Sequence, residues 1–190
     1  MGQIFNLFLG AILWQNVVLT RLLSLSPFLV ERKSTIKDMT LMGLFTTCFI
    51  TVFSLLAWVI SELILVKFKL TYLTNLIFFF FLFLVIFMLW KIFVQNKSNP
   101  ADWTLYLPDV FFNSALLGIV LINMENGTGW LENGALALGA GLGFTILLIV
   151  VEGMKERLEG VPLPAWLKGV PIQLIALGIL ALAVSGFSGI

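Results

Sequence analysis

The polar side chains that could do chemistry in this chain are few, and they lie inside apolar stretches. Asn16 and Asn113 place amides in such stretches, and Asp109 lies four residues before Asn113, on the same face of a helix. Amides and a carboxylate in an apolar setting could polarise a path for an ion or a proton, since ionisable groups inside membrane segments point to function by default. The alternatives are interhelical hydrogen bonds for the two Asn residues and a shallow, water-facing carboxylate for Asp109.

Composition excludes most other chemistry. The 190 residues include no His and one Cys, Cys48, which excludes an internal disulfide, imidazole-based triads and the usual zinc and haem ligand sets. Hydrophobic residues make up 60% of the chain and charged residues 11%, with a net charge of +1. That is too little charge for the surface of a soluble domain, and it gives no nucleic-acid footprint. The composition predicts an integral membrane protein in a lipid bilayer.

Six apolar stretches are long enough to cross a hydrocarbon core of roughly 30 Å, which takes about 20 residues of helix. They are Ile4–Leu25, Met39–Ile60, Thr71–Val94, Thr104–Ile122, Leu131–Val151 and Val170–Phe187. The connections between them are short, so the sequence predicts one all-α integral membrane domain over residues 1–190. The N-terminus lacks the basic region of a signal peptide, and the first stretch is therefore expected to stay in the mature protein.

Lys and Arg in the connections predict the orientation. The loops after the first, third and fifth spans hold eight of the 11 Lys and Arg residues, whereas those after the second and fourth hold two. By the positive-inside rule, both termini are expected on the outer, periplasmic side. Three spans in each half predict two inverted three-helix halves. Asn16–Leu19 echoes Asn113–Leu116, and Pro27 and Pro108 adjoin the same two spans, so spans one and four are predicted to be interrupted.

Other patterns indicate packing and helix ends. Gly139 and Gly143 form a G-x-x-x-G pair that predicts close approach of another helix. Arg21, late in span one, is expected to extend toward the cytoplasmic headgroups. Glu152 and Lys155 belong to a charged group predicted to be a solvated helix end. Phe residues surround the third span and predict contact with lipid or a protein partner; they are Phe78, Phe79, Phe80, Phe81, Phe83 and Phe87.

Four segments, in order along the chain, resemble the RnfA/NqrE membrane subunits. Asn16–Phe28 (NVVLTRLLSLSPF) resembles the segment N-N-F-V-L-x-x-x-L-G-L-C-P-F, and Phe111–Gly118 (FFNSALLG) resembles T-T-N-C-A-V-L-G. Gly141–Thr145 with Met154–Leu158 resembles G-F-S followed by I-R-E-R-L. Gly186–Gly189 resembles the terminal G-F-S-G. The resemblance covers nearly the whole chain.

The resemblance implies a subunit of an Rnf- or Nqr-type complex of the inner membrane. Such complexes move electrons between ferredoxin or quinone and a nicotinamide, coupled to Na⁺ or H⁺ transport. It also implies an inverted homologous partner subunit, RnfE or NqrD, and flavins and iron–sulfur clusters in the partner subunits. Enzyme activity would then belong to the assembled complex and not to this chain alone.

Two positions depart from the family. There, the Cys of L-G-L-C-P and the Cys of T-N-C-A ligate one [2Fe–2S] centre together with two Cys of the inverted homologue. Here the positions hold Ser26 and Ser114, and Cys48 matches neither. A serine hydroxyl is a hard, barely ionised donor, so no cofactor is expected on this chain. Three explanations stay open: a lineage without the centre, a double Cys-to-Ser variant, and a different role on the same scaffold.

The two serines themselves allow a functional and a structural interpretation. They could mark a gate, or the remnant of an electron path, in the central two-fold region. They could also cap helix ends and allow close packing, as small hydroxyl residues do in membranes.

Two further functions fit six short spans. A small-molecule carrier, like the substrate-binding units of vitamin uptake systems, needs convergent polar groups in a pocket. The sequence offers only Asn16, Asn113, Asp109 and Gln173. A purely structural role in assembly of a membrane complex is the other alternative, and the loss of both Cys residues favours it.

Overall fold

A computed structural model describes residues 2–13, 16–21, 35–68, 73–95, 113–125 and 129–186. The helices are α1 (Gly2–Ile12), α2 (Val17–Arg21), α3 (Ile36–Ile60), α4 (Thr74–Gln95), α5 (Ser114–Glu125), α6 (Trp130–Glu159) and α7 (Val170–Ser185). A π-helical segment, Ser61–Val66, continues α3, and a 3₁₀ turn, Ala165–Leu167, precedes α7. These ranges contain no strand. The predicted all-α class is therefore confirmed for the described part of the chain.

Length and composition single out two helical stretches among the described residues as able to cross a membrane. They are Ile36–Leu63 and Trp130–Leu158, with mean hydropathies of 2.1 and 2.3. Two shorter apolar helices cover Ser114–Asn123 and Val170–Ser185. The predictions for Ser26, Asp109 and the two prolines beside spans one and four lie outside the described residues.

Helices α3 and α6 pack antiparallel through a reciprocal contact of small residues. A Cβ atom added to Gly43 would lie 2.6 Å from Thr145 Cγ2, and one added to Gly141 would lie 2.7 Å from Thr47 Cγ2. The two threonine hydroxyls are 3.0 Å apart and buried. Such distances leave no room for larger side chains, so Gly and Thr at these positions set how closely the two backbones approach.

A second close contact joins α6 to α1, which runs parallel to it. A Cβ on Gly139 would lie 2.6 Å from the carbonyl oxygen of Phe8, and one on Gly143 would lie 2.9 Å from that of Ile12. The backbone of α1 thus lies directly against the glycines of α6. The predicted role of the G-x-x-x-G pair in helix packing is confirmed.

The core consists of two clusters of buried side chains. The larger is Ala11, Ile50, Phe53, Ala57, Leu65, Phe78, Ala115, Leu116, Ile119, Val120, Ala137 and Ala140. The smaller is Met39, Met42, Phe144, Leu147, Leu148, Val151 and Leu177. Among the α4 side chains that the structure describes, Phe78 belongs to the core, at 3% exposure, and the partly buried Ile77 packs against it. The outward-facing aromatic side chains of α4, each more than half exposed, are Phe79, Phe80, Phe83 and Phe87.

The prediction of a fully solvated helix end was wrong at Glu152. Helix α6 continues to Glu159, so Glu152 lies one turn after Leu148 on the buried face. Its side chain is 7% exposed and pairs with Lys155, whose Nζ is 3.6 Å from Glu152 Oε2. Glu156 and Arg157 are exposed as expected.

Adding one methyl group to α6 is expected to have opposite effects at two glycines. Gly139→Ala should lower stability by about 1–3 kcal/mol, because the new Cβ meets a backbone oxygen that a side-chain movement cannot displace. Gly153→Ala should be neutral or stabilising by up to about 1 kcal/mol, because nothing lies within 4 Å of its Cβ position and Ala favours helix over Gly. Thermal unfolding of the detergent-solubilised protein measures both. Equal midpoints for the two variants would contradict the close α1–α6 contact.

Candidate functional site

The first candidate residue, Asn16, lies between two helices. α1 ends at Ile12 and α2 begins at Val17, and Asn16 is 4% exposed. Its Nδ2 donates to the carbonyl oxygen of Ile12 over 3.4 Å, and its own carbonyl accepts from Thr20 Oγ1 at 2.9 Å. The last carbonyls of a helix lack partners within that helix. The side-chain amide of Asn16 therefore donates to a carbonyl at the end of α1, and its backbone carbonyl accepts a hydrogen bond at the start of α2.

The second candidate, Asn113, directly precedes α5. Its Oδ1 accepts from the backbone N–H of Ala115 at 2.9 Å, which makes it the N-cap of that helix. The side chain is buried at 3% exposure, and its Nδ2 has no hydrogen-bond partner among the described residues. Leaving a buried donor unpaired costs about 1–3 kcal/mol. The amide hydrogens of Asn113 thus call for an acceptor outside the described part of the chain.

Each of the two asparagines directly precedes a helix, and these helices, α2 and α5, pack against each other. α2, which starts just after Asn16, packs against α5, α6 and α7. Ser114, the first residue of α5, is exposed beside the buried Asn113. Ser26 and Asp109 lie outside the described residues. Two of the three residues of the predicted polar path are therefore described, and both are buried amides directly before a helix; the exposed Ser114 follows one of them, Asn113.

The groups available for metal binding are few. Cys48 is exposed on α3, in the middle of the helix, and Arg21 is exposed at the end of α2. Within the described ranges no three His, Cys, Asp or Glu side chains come together as a possible ion site. The chemistry that the described polar groups offer is hydrogen bonding by amides and hydroxyls.

A third buried polar group, which the sequence analysis did not identify, joins three helices. Ser54 of α3 and Asn133 of α6 are fully buried, and Asn123 of α5 is 3% exposed. Asn123 Nδ2 donates to Ser54 Oγ at 2.8 Å and lies 3.2 Å from Asn133 Oδ1. Ser54 Oγ also donates to Asn133 Oδ1. We call these three residues the amide cluster.

The only sequence signal for the amide cluster was the presence of polar residues in three apolar stretches. Ser54 is 69 residues from Asn123 and 79 from Asn133. Residues so far apart in the sequence cannot be predicted to pair before the packing of their helices is known. The antiparallel register of α3 and α6, which brings Thr47 opposite Gly141, also brings Ser54 opposite Asn133.

Comparison with known proteins places these features in a family. Residues 4–190 match the family described as Rnf-Nqr subunit, membrane protein. The chain is 35% identical over 194 residues to the RnfA component of the ion-translocating oxidoreductase complex of Syntrophotalea carbinolica, covering 100% of this chain and 98% of the relative. The corresponding components from Sodalis glossinidius and Azoarcus sp. are 33% and 35% identical over 193 residues, with the same coverage.

The helical, apolar architecture agrees with these comparisons. The family match covers almost every residue, and the relatives are more than 30% identical along the whole length. The resemblance that the four sequence segments indicated is thereby confirmed, and the chain belongs to the Rnf-Nqr family of membrane-protein subunits.

Proposed function

We propose that this chain is a membrane subunit of an Rnf/Nqr-type complex that couples electron transfer to ion translocation. The electrons would pass between ferredoxin or quinone and a nicotinamide, and the ion would be Na⁺ or H⁺. The observation that carries the proposal is the full-length similarity to the RnfA components of ion-translocating oxidoreductase complexes. The role of this chain is to form part of the membrane passage, while the reaction belongs to the assembled complex.

The proposed architecture is six spans in two inverted halves, with both termini on the outer side of the inner membrane. The relative directions of the helices support it. α1 runs parallel to α6, and α3 runs antiparallel to α6, as alternating spans one, two and five require. Asn16, which lies outside a helix directly before α2, supports an interruption of span one, and Asn113, which caps the start of α5, supports one in span four.

The proposed partner is the inverted homologue of RnfE/NqrD type, packed against the start of α5. Ser114 is exposed there although Asn113 before it and Ala115 after it are buried. An exposed hydroxyl next to a buried amide with spare donors is typical of a surface that another protein completes. Ser26 is proposed to face the same partner.

An iron–sulfur cluster does not fit the donors that this chain brings to that position. Ser114 offers a hydroxyl where iron needs a thiolate. Cys48 is in mid-helix on an exposed face of α3, and α3 has no direct packing against α2 among its main contacts. We therefore propose that this chain binds no cluster, and that flavins and iron–sulfur clusters reside in the partner subunits.

The polar path is proposed to use Asn16, Asn113 and Asp109. Asn113 carries the strongest support, because its Nδ2 is buried and lacks an acceptor among the described residues. An amide held by its oxygen at a helix start can donate its N–H hydrogens to a water molecule of the path. Asn16 orients the broken segment of span one opposite the glycines of α6.

A structural role in assembly of the complex is the second candidate, since the donor set cannot hold the family's cluster. It differs from the first in one measurable respect: removing the polar path would leave ion transport unchanged. The described polar groups are spread over separate helix ends, and none of their contacts favours a small-molecule carrier.

Cross-linking tests the partner. With Cys48→Ala as background, a Ser114→Cys variant carrying a photoreactive maleimide should cross-link to the inverted homologue, because residue 114 lies at the proposed interface. A Phe80→Cys variant is the matched control, as its exposed side chain lies on the outward face of α4. Mass spectrometry of the cross-linked band identifies the partner. Equal cross-linking from both positions would contradict the proposed interface.

Metal analysis tests the missing cluster. The pair formed by this chain and its inverted homologue should contain far less than one acid-labile sulfide per pair, because two of four ligands are hydroxyls. Iron and sulfide assays, with visible absorption of the oxidised protein, make the measurement. Two iron and two sulfide per pair would show that the serines suffice and would overturn the proposal.

Substitutions of Asn113 separate helix capping from the polar path. Asn113→Asp keeps an oxygen for the N–H of Ala115, so the cap of α5 should be retained. It replaces the spare amide hydrogens by an acceptor, so the hydrogen bond that they donate to a water of the path is lost, and ion transport by the reconstituted complex should fall by about tenfold, which corresponds to about 1.4 kcal/mol. Asn113→Leu should lower both stability and transport. Transport at the wild-type rate in Asn113→Asp would favour the structural role in assembly.

A further inference from the structure

One hydrogen-bond donor of the amide cluster, Asn133 Nδ2, has no acceptor within the cluster. Asn133 Oδ1 accepts from both Ser54 Oγ and Asn123 Nδ2. The hydroxyl of Ser54 accepts from Asn123 in turn, and the Asn133 backbone carbonyl lies 3.4 Å from the same nitrogen. Every one of these contacts ends on an oxygen of Ser54 or Asn133. The two hydrogens of Asn133 Nδ2 take no part in them.

The unpaired nitrogen belongs to a completely buried side chain. Asn133 has 0% exposure, and its Nδ2 has no partner among the described residues. Exchanging the oxygen and nitrogen of this amide would not help, because Asn123 Nδ2 would then face a second donor. A buried amide in this state is normally satisfied by an internal water.

The packing around the cluster is looser than elsewhere along the same pair of helices. At Gly141 an added Cβ would lie 2.7 Å from Thr47. At Gly134, next to Asn133, an added Cβ would meet only Leu55 Cδ2, at 3.5 Å. The glycine beside Asn133 is therefore packed less tightly than Gly141, and Asn123 near the end of α5 reaches both Ser54 and Asn133 there.

We propose that the side-chain amide of Asn133, held by Ser54 and Asn123, binds an internal water molecule between α3, α5 and α6. The water accepts a hydrogen bond from Asn133 Nδ2 near the first residues of α6. Asn133 lies three residues after the first residue of α6, and Asn123 two residues before the last residue of α5. Water thus needs to pass about one helical turn, or about 5 Å, to reach the site. It would be bound there whatever ion the complex transports.

X-ray radiolytic labelling tests the site, because radicals released from a bound water oxidise adjacent buried side chains. Val120 lies one turn before Asn123 on α5, and Leu116 lies one turn further; they are 2% and 0% exposed. In the detergent-solubilised complex, Val120 should be labelled several times faster than Leu116, because Val120 lies one helical turn closer to the amide cluster. Equal slow labelling of the two residues would overturn the proposal.

Two variants give the controls. Asn133→Leu removes the donor and fills the space, so the excess labelling of Val120 should disappear. Ser54→Ala leaves the amide of Asn133 in place, so the excess should persist. Excess labelling that survives Asn133→Leu would show that this amide does not hold the water and would overturn the assignment. If Asn133→Leu does not fold, the Val120-to-Leu116 ratio in the wild-type complex still decides.

Discussion

The contact of small residues along α6 is the constraint on which the arrangement of the other helices depends. Lipid tails are as apolar as leucine, so hydrophobic burial does not hold membrane helices together, and close backbone packing must do so. Residues two apart on a helix point about 200° away from each other. Gly139 and Gly143 thus face α1, while Gly141 and Thr145 face α3 on nearly the opposite side. α6 is held between these two neighbours, and 61% of its apolar window is buried, against 39% for α3.

That central position fixes the register of the polar side chains. With Thr47 opposite Gly141, the two residues Ser54 and Asn133 must also face each other further along the same pair. The parallel contact with α1 places Asn16 against Gly143, where the added Cβ would lie 2.9 Å from its Nδ2. A larger residue at position 143 would displace the side-chain amide of Asn16, which donates to a carbonyl at the end of α1. The glycines therefore position the candidate site as well as the helices.

The sequence predicted the helices well and the contacts between polar groups only in part. Hydropathy placed α7 at its observed start, Val170, and α3 and α4 within three residues of theirs, because apolar length alone decides such segments. The G-x-x-x-G spacing predicted close packing because it is a property of one helix, but it could not identify α1 as the neighbour. The amide cluster and the burial of Glu152 were missed because both depend on how distant segments pack. At Glu152 the three further charges within the next five residues also indicated a solvated helix end. The role proposed for Ser114 rests on the family resemblance and on its exposure beside the buried Asn113.

The two ends of α5 carry polar side chains of the same chemical type. Asn113 caps its start and Asn123 joins the amide cluster near its end, about 15 Å away along a helix of apolar residues. At each end a buried amide nitrogen lacks an acceptor among the described residues: Asn113 Nδ2 itself, and Asn133 Nδ2 beside Asn123. Thiolates at the start of α5 would make that end suited to soft metals. Hydroxyls and amide hydrogens instead suit water, which can accept a hydrogen bond from the spare nitrogen at each end.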